Sequence, residues 1–416
     1  MSRHRTAAAH RGTPGPDGRR EGRVSALGAQ GAVGAGGAVG EDERLARVAL
    51  NRLAEPGDVR MNRLVRDLGA RAVRDHLLEE RGLSSLHDDV ATRLAAVDPT
   101  RELEVAERAG IRFVVPGDEE WPDGLDALAG AGVVNERGGV PIGLWVRGPL
   151  PLPATPRAVA MVGSRSATTY GTRVASEMAA QLAEAGLSVV SGAALGIDQA
   201  SHRGALAVDG PTVAVLACGV DRIYPAANRA LVEHVRDVGT VVSEAPLGGA
   251  PMRVRFLARN RLIAALTGGT VVVEAALRSG ALSSAAWAER LGRPVMGVPG
   301  PVTSAQSQGV HERLRTGAAM VVTGGDDVRE LLSAAGENLV EDRREPPGPR
   351  DRLTVRQRQV LDAVPVGRAR RATHVAATAG VGLREVQTAL FSLEARGWVH
   401  QEGDAWRVSR RSGRGG

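Results

Sequence analysis

From residue 158 onward the chain repeats one pattern: a short apolar run, a turn of small residues, then a longer stretch with apolar groups three or four positions apart. The runs at 158–162, 187–190, 212–216, 240–242, 270–273, 294–297 and 319–322 predict strands. The stretches at 171–185, 197–208, 229–238, 255–266, 281–291 and 308–316 predict helices. Strand and helix in alternation predict an α/β fold, a parallel sheet with crossover helices, in which ligands gather at the carboxyl ends of the strands.

The flanks read differently. Residues 1–40 are rich in Gly, Ala and Arg without periodicity and are expected to form a disordered tail, because they bring too little apolar surface to order themselves. Residues 41–110 carry helical spacing broken at Pro56-Gly57, Gly69 and Gly82, which predicts a small helical module with a packing role. Short strands at 111–115 and 144–147 begin the central domain, expected over 111–330. A linker is expected over 331–351, marked by Pro346-Pro347-Gly348-Pro349. Over 352–410, helices at 355–364, 372–379 and 383–396 precede a hairpin at 397–400 and 405–408. That order predicts a winged helix-turn-helix with Arg384, Gln387 and Thr388 on its third helix. Such a unit serves DNA binding or protein contact.

Composition narrows the chemistry. The chain has 416 residues and is 43% hydrophobic but only 2% aromatic, so its cores are built of Val, Leu, Ala and Ile. Its one cysteine, Cys218, rules out a disulfide framework and a Cys-rich zinc site, which fits a reducing cytoplasm, and a buried thiol is the expected role. All 53 basic residues are arginine, so no P-loop lysine and no Schiff-base lysine exist. The net charge of +6 is uneven: residues 343–416 carry about 15 Arg against 7 acids, and the central part is net acidic. An anion site there must be local and focused. No apolar run is long enough to span a membrane.

Several stretches at predicted strand ends carry that focus. Gly163-Ser164-Arg165 follows the 158–162 strand and has the outline of a phosphate-facing turn, with a glycine for close approach and a permanently charged fork. An ordinary strand-to-helix turn accounts for the same residues. Ser191-Gly192 opens a second small-residue turn, Ser279-Gly280 a third, and Pro299-Gly300 ends the sixth strand. The segment from 218 to 225, ending in Tyr224-Pro225, reads as structural. Arg253, Arg255, Arg259 and Arg261 surround Phe256 and Asn260 in the densest basic run of the central domain. On a helix, Arg255 and Arg259 would share a face and hold neighbouring phosphates while Phe256 stacks on a base. A solvated helix face over a buried Phe is the plainer alternative. Asp198 and His202 lack a third ligand at metal-site spacing, and no metal or other cofactor is expected. The first turn lacks the glycines of a dinucleotide fingerprint and of a nucleophile elbow.

In order along the chain, Val162-Gly163-Ser164-Arg165, Tyr170-Gly171, Ser191-Gly192-Ala193, Gly196-Ile197-Asp198 with His202, Tyr224-Pro225, Ser243-Glu244, Phe256 with Arg259-Asn260-Arg261, Glu274 with Ser279-Gly280, and Pro299-Gly300 resemble the bacterial DNA-processing protein A family, DprA or Smf. The resemblance implies an extended Rossmann-like domain that binds single-stranded DNA, usually as a dimer, and loads a RecA-type recombinase in natural transformation, without covalent chemistry. It places Gly163, Ser164, Arg165, Ser191 and Gly192 in a phosphate pocket and brings Arg253 and Phe256 to the DNA. The chain departs from the family pattern at Leu257, where proline is usual, and at His311-Glu312. Two other functions stand beside this one: a nucleoside-monophosphate phosphoribohydrolase, whose Pro-Gly-Gly loop is missing here, and a regulator acting through the winged helix.

Overall fold

The computed structural model describes residues 39–79, 85–339 and 348–409. The tail expected over 1–40 and the middle of the expected linker fall almost wholly outside these residues.

Five helices open the described chain: α1 (Glu41–Leu53), α2 (Val59–Leu68), α3 (Ala70–Glu79), α4 (Ser85–Ala95) and α5 (Pro99–Arg108). Asp58 caps α2 and Asp98 caps α5 with carboxylates on the free amides, which is why those helices start where they do. Ala46, Ala49, Leu50, Val65, Ala70, Val73 and Leu94 form a small core of their own, while Val48 and Ala106 face the neighbouring sheet.

The central part continues as β1 (Ile111–Val114), β2 (Val133–Val134), β3 (Arg137–Gly138), β4 (Leu144–Arg147), β5 (Ala158–Val162), α6 (Thr169–Glu184), β6 (Ser188–Ser191), α7 (Ile197–Leu206) and β7 (Thr212–Val215). It runs on through α8 (Arg229–Val238), β8 (Thr240–Ser243), α9 (Arg253–Ala265), β9 (Gly269–Val272), α10 (Ala281–Arg290), β10 (Val295–Gly297), α11 (Gln308–Arg315), β11 (Met320–Val321) and α12 (Gly325–Leu332). Strands β5 and β8 keep within a residue of the boundaries expected from the apolar runs. Nine strands join in the order β1-β4-β8-β7-β6-β5-β9-β10-β11. Those from β8 to β11 are parallel, and β4 and β1 close one edge antiparallel, so the sheet is mixed where a parallel one was expected.

Side chains alternate across this sheet with a period of two. Val159, Met161, Val189 and Val271 pack under α6 and α7, whereas Ala160, Val162, Val190 and Val272 pack under α9 and α10. The chain leaves β5 toward β6 on one side and returns to β9 on the other. The order therefore reverses beside β5, and the connections diverge there to leave a crevice at the carboxyl ends of the strands.

Residues up to Leu339 form one compact unit. The expected linker over 331–351 is corrected accordingly: α12 ends at Leu332 and packs Val328 into the core under α6. The second unit holds α13 (Val355–Ala363), β12 (Arg370–Arg371), α14 (Ala372–Ala379), α15 (Leu383–Ala395), β13 (Val399–Glu402) and β14 (Ala405–Val408), with its own core around Val360, Val375, Leu390, Leu393 and Trp406. Its strands form an antiparallel sheet in the order β12-β14-β13. Thr354 caps α13 in a reciprocal box with Gln357.

Candidate nucleic-acid interface

At the reversal beside β5, the Gly163–Arg165 turn is braced from the neighbouring strand. Ser164 N donates to Glu274 O at 2.7 Å, and the Glu274 carboxylate accepts Thr168 N at 2.9 Å and Thr168 Oγ1 at 2.5 Å. Thr168 in turn caps α6. Glu274 is fully buried, so its carboxylate is spent on holding this loop. Ser164 is buried as well, and Arg165 projects into solvent.

The Ser191–Gly196 turn lies beside it. Gly196 has φ +81°, and a Cβ there would fall 2.3 Å from Ser164 O, so the two turns touch backbone to backbone. Ala193 sits at φ +54°, a left-handed conformation that costs a residue with a side chain about 1 kcal/mol. The turn folds around an internal anion. Asp198, on the first turn of α7, is buried and accepts Ala194 N at 3.4 Å, with Gly192 N also turned to it. Burial pushes the Asp198 carboxyl above its ordinary range, opposed by the charge of Arg259 and by these amides. The expectation that an external anion fills this turn is therefore corrected: a carboxylate of the chain occupies the amides of Gly192 and Ala194. Ser191 is also buried, its hydroxyl donating to Met161 O at 2.6 Å, so it ties β6 to β5.

Helix α9 runs past both turns, and its arginines part ways. Arg253, the first residue of the helix, is exposed. Arg255 is held by Glu55 of the α1–α2 connection through two hydrogen bonds of 2.8 Å. Arg259 is buried against Gly192, where a Cβ would fall 1.3 Å from its Nη1. Burial pulls the Arg259 guanidinium below its usual value, and Asp198 pulls it back. Arg261 is completely buried in a two-pronged pair with Glu244 (2.6 and 2.7 Å), and its Nε donates to Gly139 O. Asn260 donates to Gly280 O at 3.3 Å and joins α9 to the start of α10. The predicted sharing of phosphates by Arg255 and Arg259 is thus corrected. Arg259, Asn260 and Arg261 lie beneath the surface, because α9 is packed on nearly every side from Ala258 to Ala265.

What does converge at the surface is built around Phe256. The Arg165 guanidinium lies 5.1 Å from its ring centre and that of Arg259 lies 6.0 Å away. Tyr224, from the connection after β7, meets the ring edge-on at 5.7 Å and is itself 45% exposed. Phe256 is half-buried. Tyr224 is a residue that pattern reading assigned to structure. Its signal was scarcity, since the chain has two tyrosines and three phenylalanines. The Ser279-Gly280 turn stands at the carboxyl end of β9, where Ser279 Oγ accepts Ala281 N and Gly280 faces open space. Cys218 is buried, as expected, and burial pushes its thiol up to about 11. Among the described residues no group of three His, Cys, Asp or Glu is placed to hold a metal, and no helix is long and apolar enough to cross a membrane.

Fold and site together define a doubly wound α/β protein with two cations and two aromatic rings at the switch point of its sheet. The model of the DNA recombination-mediator protein A family matches residues 112–333, and the chain belongs to that family. It is 42% identical over 364 residues to the putative DNA processing protein DprA of Mycobacterium tuberculosis, covering 87% of this chain and 93% of that one. It is 40% identical over 191 residues to the DNA processing protein DprA of Streptococcus pneumoniae, covering 46% of this chain and 67% of the other. The X-ray structure of the Streptococcus pneumoniae protein superposes with a TM-score of 0.57 at 28% identity, covering 69% of this chain and 96% of that one.

Proposed function

We propose that this chain binds single-stranded DNA along the carboxyl edge of its sheet, protects it, and loads a RecA-type recombinase during recombination or natural transformation. The observation that carries this is the stack of Arg165 on Phe256 with Tyr224 at its edge. Exposed guanidinium groups hold phosphates, and an aromatic face accepts any unpaired base. Arg253 adds a second exposed cation at the start of the same helix. The printed names of the relatives, DNA processing proteins in a recombination-mediator family, agree with this choice of polymer. We further read the chain as a cytoplasmic homodimer and the second unit as a winged helix-turn-helix, whose α15 presents Arg384, Gln387 and Thr388 to solvent.

An enzyme of the phosphoribohydrolase kind needs a reachable acid at this edge. Glu274 is buried and fully engaged with Thr168, which favours binding over turnover. The test is direct binding of single-stranded and duplex oligonucleotides of one sequence. A preference for the single strand supports the proposal, and free base released from nucleoside monophosphates in a manner dependent on Glu274 overturns it.

A further inference from the structure

The connection between α1 and α2 grips the connection between β8 and α9. Asn51 Nδ2 donates to Glu244 O at 2.7 Å, Arg52 Nη1 to Leu247 O at 2.9 Å, and Gly57 N to Glu244 Oε1 at 3.2 Å. Between these anchors Glu55 takes both prongs of the Arg255 guanidinium at 2.8 Å, while Arg255 Nη1 donates to Ala250 O at 2.9 Å. The Arg255 side chain keeps 11% of its exposure and that of Glu55 41%.

Arg255 stands on the first turn of α9, between Arg253 and Phe256 in sequence. A DNA phosphate passing that turn offers the same pair of acceptor oxygens that Glu55 offers, since carboxylate and phosphate both match the guanidinium fork. With Glu55 partly open to water, the pair is weak enough for another anion to compete. Resting on the single-stranded DNA reading above, we propose that Glu55 is an intramolecular competitor of the DNA backbone. It holds Arg255 in reserve and sets how many phosphates the edge engages. Glu55 lies outside residues 112–333, so this control belongs to the N-terminal helices and not to the part that matches the family model.

The experiment titrates a fluorescent oligothymidylate with the full chain over a sodium chloride series. Glu55→Gln is expected to bind at least about threefold more tightly at low salt, with a log-log salt slope steeper by about 0.7 for one added phosphate contact. Arg255→Gln alone should stay within about twofold of the parent, and Glu55→Gln with Arg255→Gln should lose the gain, because the gain runs through that one guanidinium. Thermal melts of each variant accompany the titrations. Weakening by both single substitutions would make the pair a structural brace and overturn the proposal. An unchanged slope in Glu55→Gln, or a gain that survives in the double variant, would overturn it as well. If the parent protein fails to bind the oligonucleotide, the functional reading falls first; if the parent binds and Glu55→Gln gains nothing, only the competitor falls.

Discussion

The guanidinium carbon of Arg165 lies 5.1 Å from the centre of the Phe256 ring, so a turn that follows β5 and a helix that precedes β9 meet in one cation–π contact. The two residues come from opposite sides of the strand-order reversal, and each alone is an exposed or half-exposed group. Together they place a charge for phosphate beside a face for a base.

Phe256→Ala is expected to weaken single-stranded DNA binding by about 1–3 kcal/mol, the usual worth of one stacked base. Arg165→Ala should weaken it too, without unfolding the protein. The two losses should be non-additive by about 0.5–1 kcal/mol, the range for a cation–π pair open to solvent. Fluorescence anisotropy on the four members of the cycle measures this, and strict additivity would separate the two residues.

Gly192→Ala tests the packing below the site. The new Cβ would fall 1.3 Å from Arg259 Nη1, so the buried guanidinium must leave its place beside Phe256 and Asp198. Urea unfolding should show a loss of about 1–3 kcal/mol, as for other overpacked cores. A variant as stable as the parent would mean that Arg259 moves freely.

Arg261→Ala should cost about 3–5 kcal/mol, since it strands the Glu244 carboxylate with a buried charge. Glu244→Ala with Arg261→Ala should cost less than the two single changes added together. The midpoint of urea unfolding reads both.

These residues also mark how far pattern carries. Strand β5 was legible because all five of its side chains are buried, which leaves an unbroken apolar run between a linker and a turn. The crossover helices were legible from spacing. The direction of β1 and β4 was not, since antiparallel edge strands carry the same alternation as parallel ones. Within α9 the sequence shows four arginines of one kind, and burial splits them into an exposed Arg253, a paired Arg255 and the sunken Arg259 and Arg261. That sorting depends on Glu55, Gly192 and Glu244, partners that no local pattern connects to α9. Helix α12 was missed because its glycine-rich start reads as the beginning of a linker.

His202 supplies a pH dependence. Thr212 gives its hydroxyl proton to Val189 O at 2.8 Å, so His202 Nδ1 is the donor in its 2.8 Å bond to Thr212, and the buried Nε2 stays bare. Burial, with the Arg259 charge, pushes the ring down to about 4. The unfolded chain takes up this proton near pH 6.5, before the folded chain does. The stabilising contribution is therefore complete above about pH 6.5 and is lost as pH falls toward 4, by about 3 kcal/mol in all. His202→Gln should show a shallower decline over that window in thermal melts, and an identical decline would contradict the assignment.

The most direct measurement is the affinity of the full chain for a single-stranded oligonucleotide and for the duplex of the same sequence, across a salt series, with and without Arg165→Ala. We expect the single strand to bind more tightly at every salt concentration, affinity to fall as salt rises, and Arg165→Ala to remove most of the preference. Equal affinity for the two forms, or a preference untouched by Arg165→Ala, would contradict a strand-binding edge built on Arg165 and Phe256.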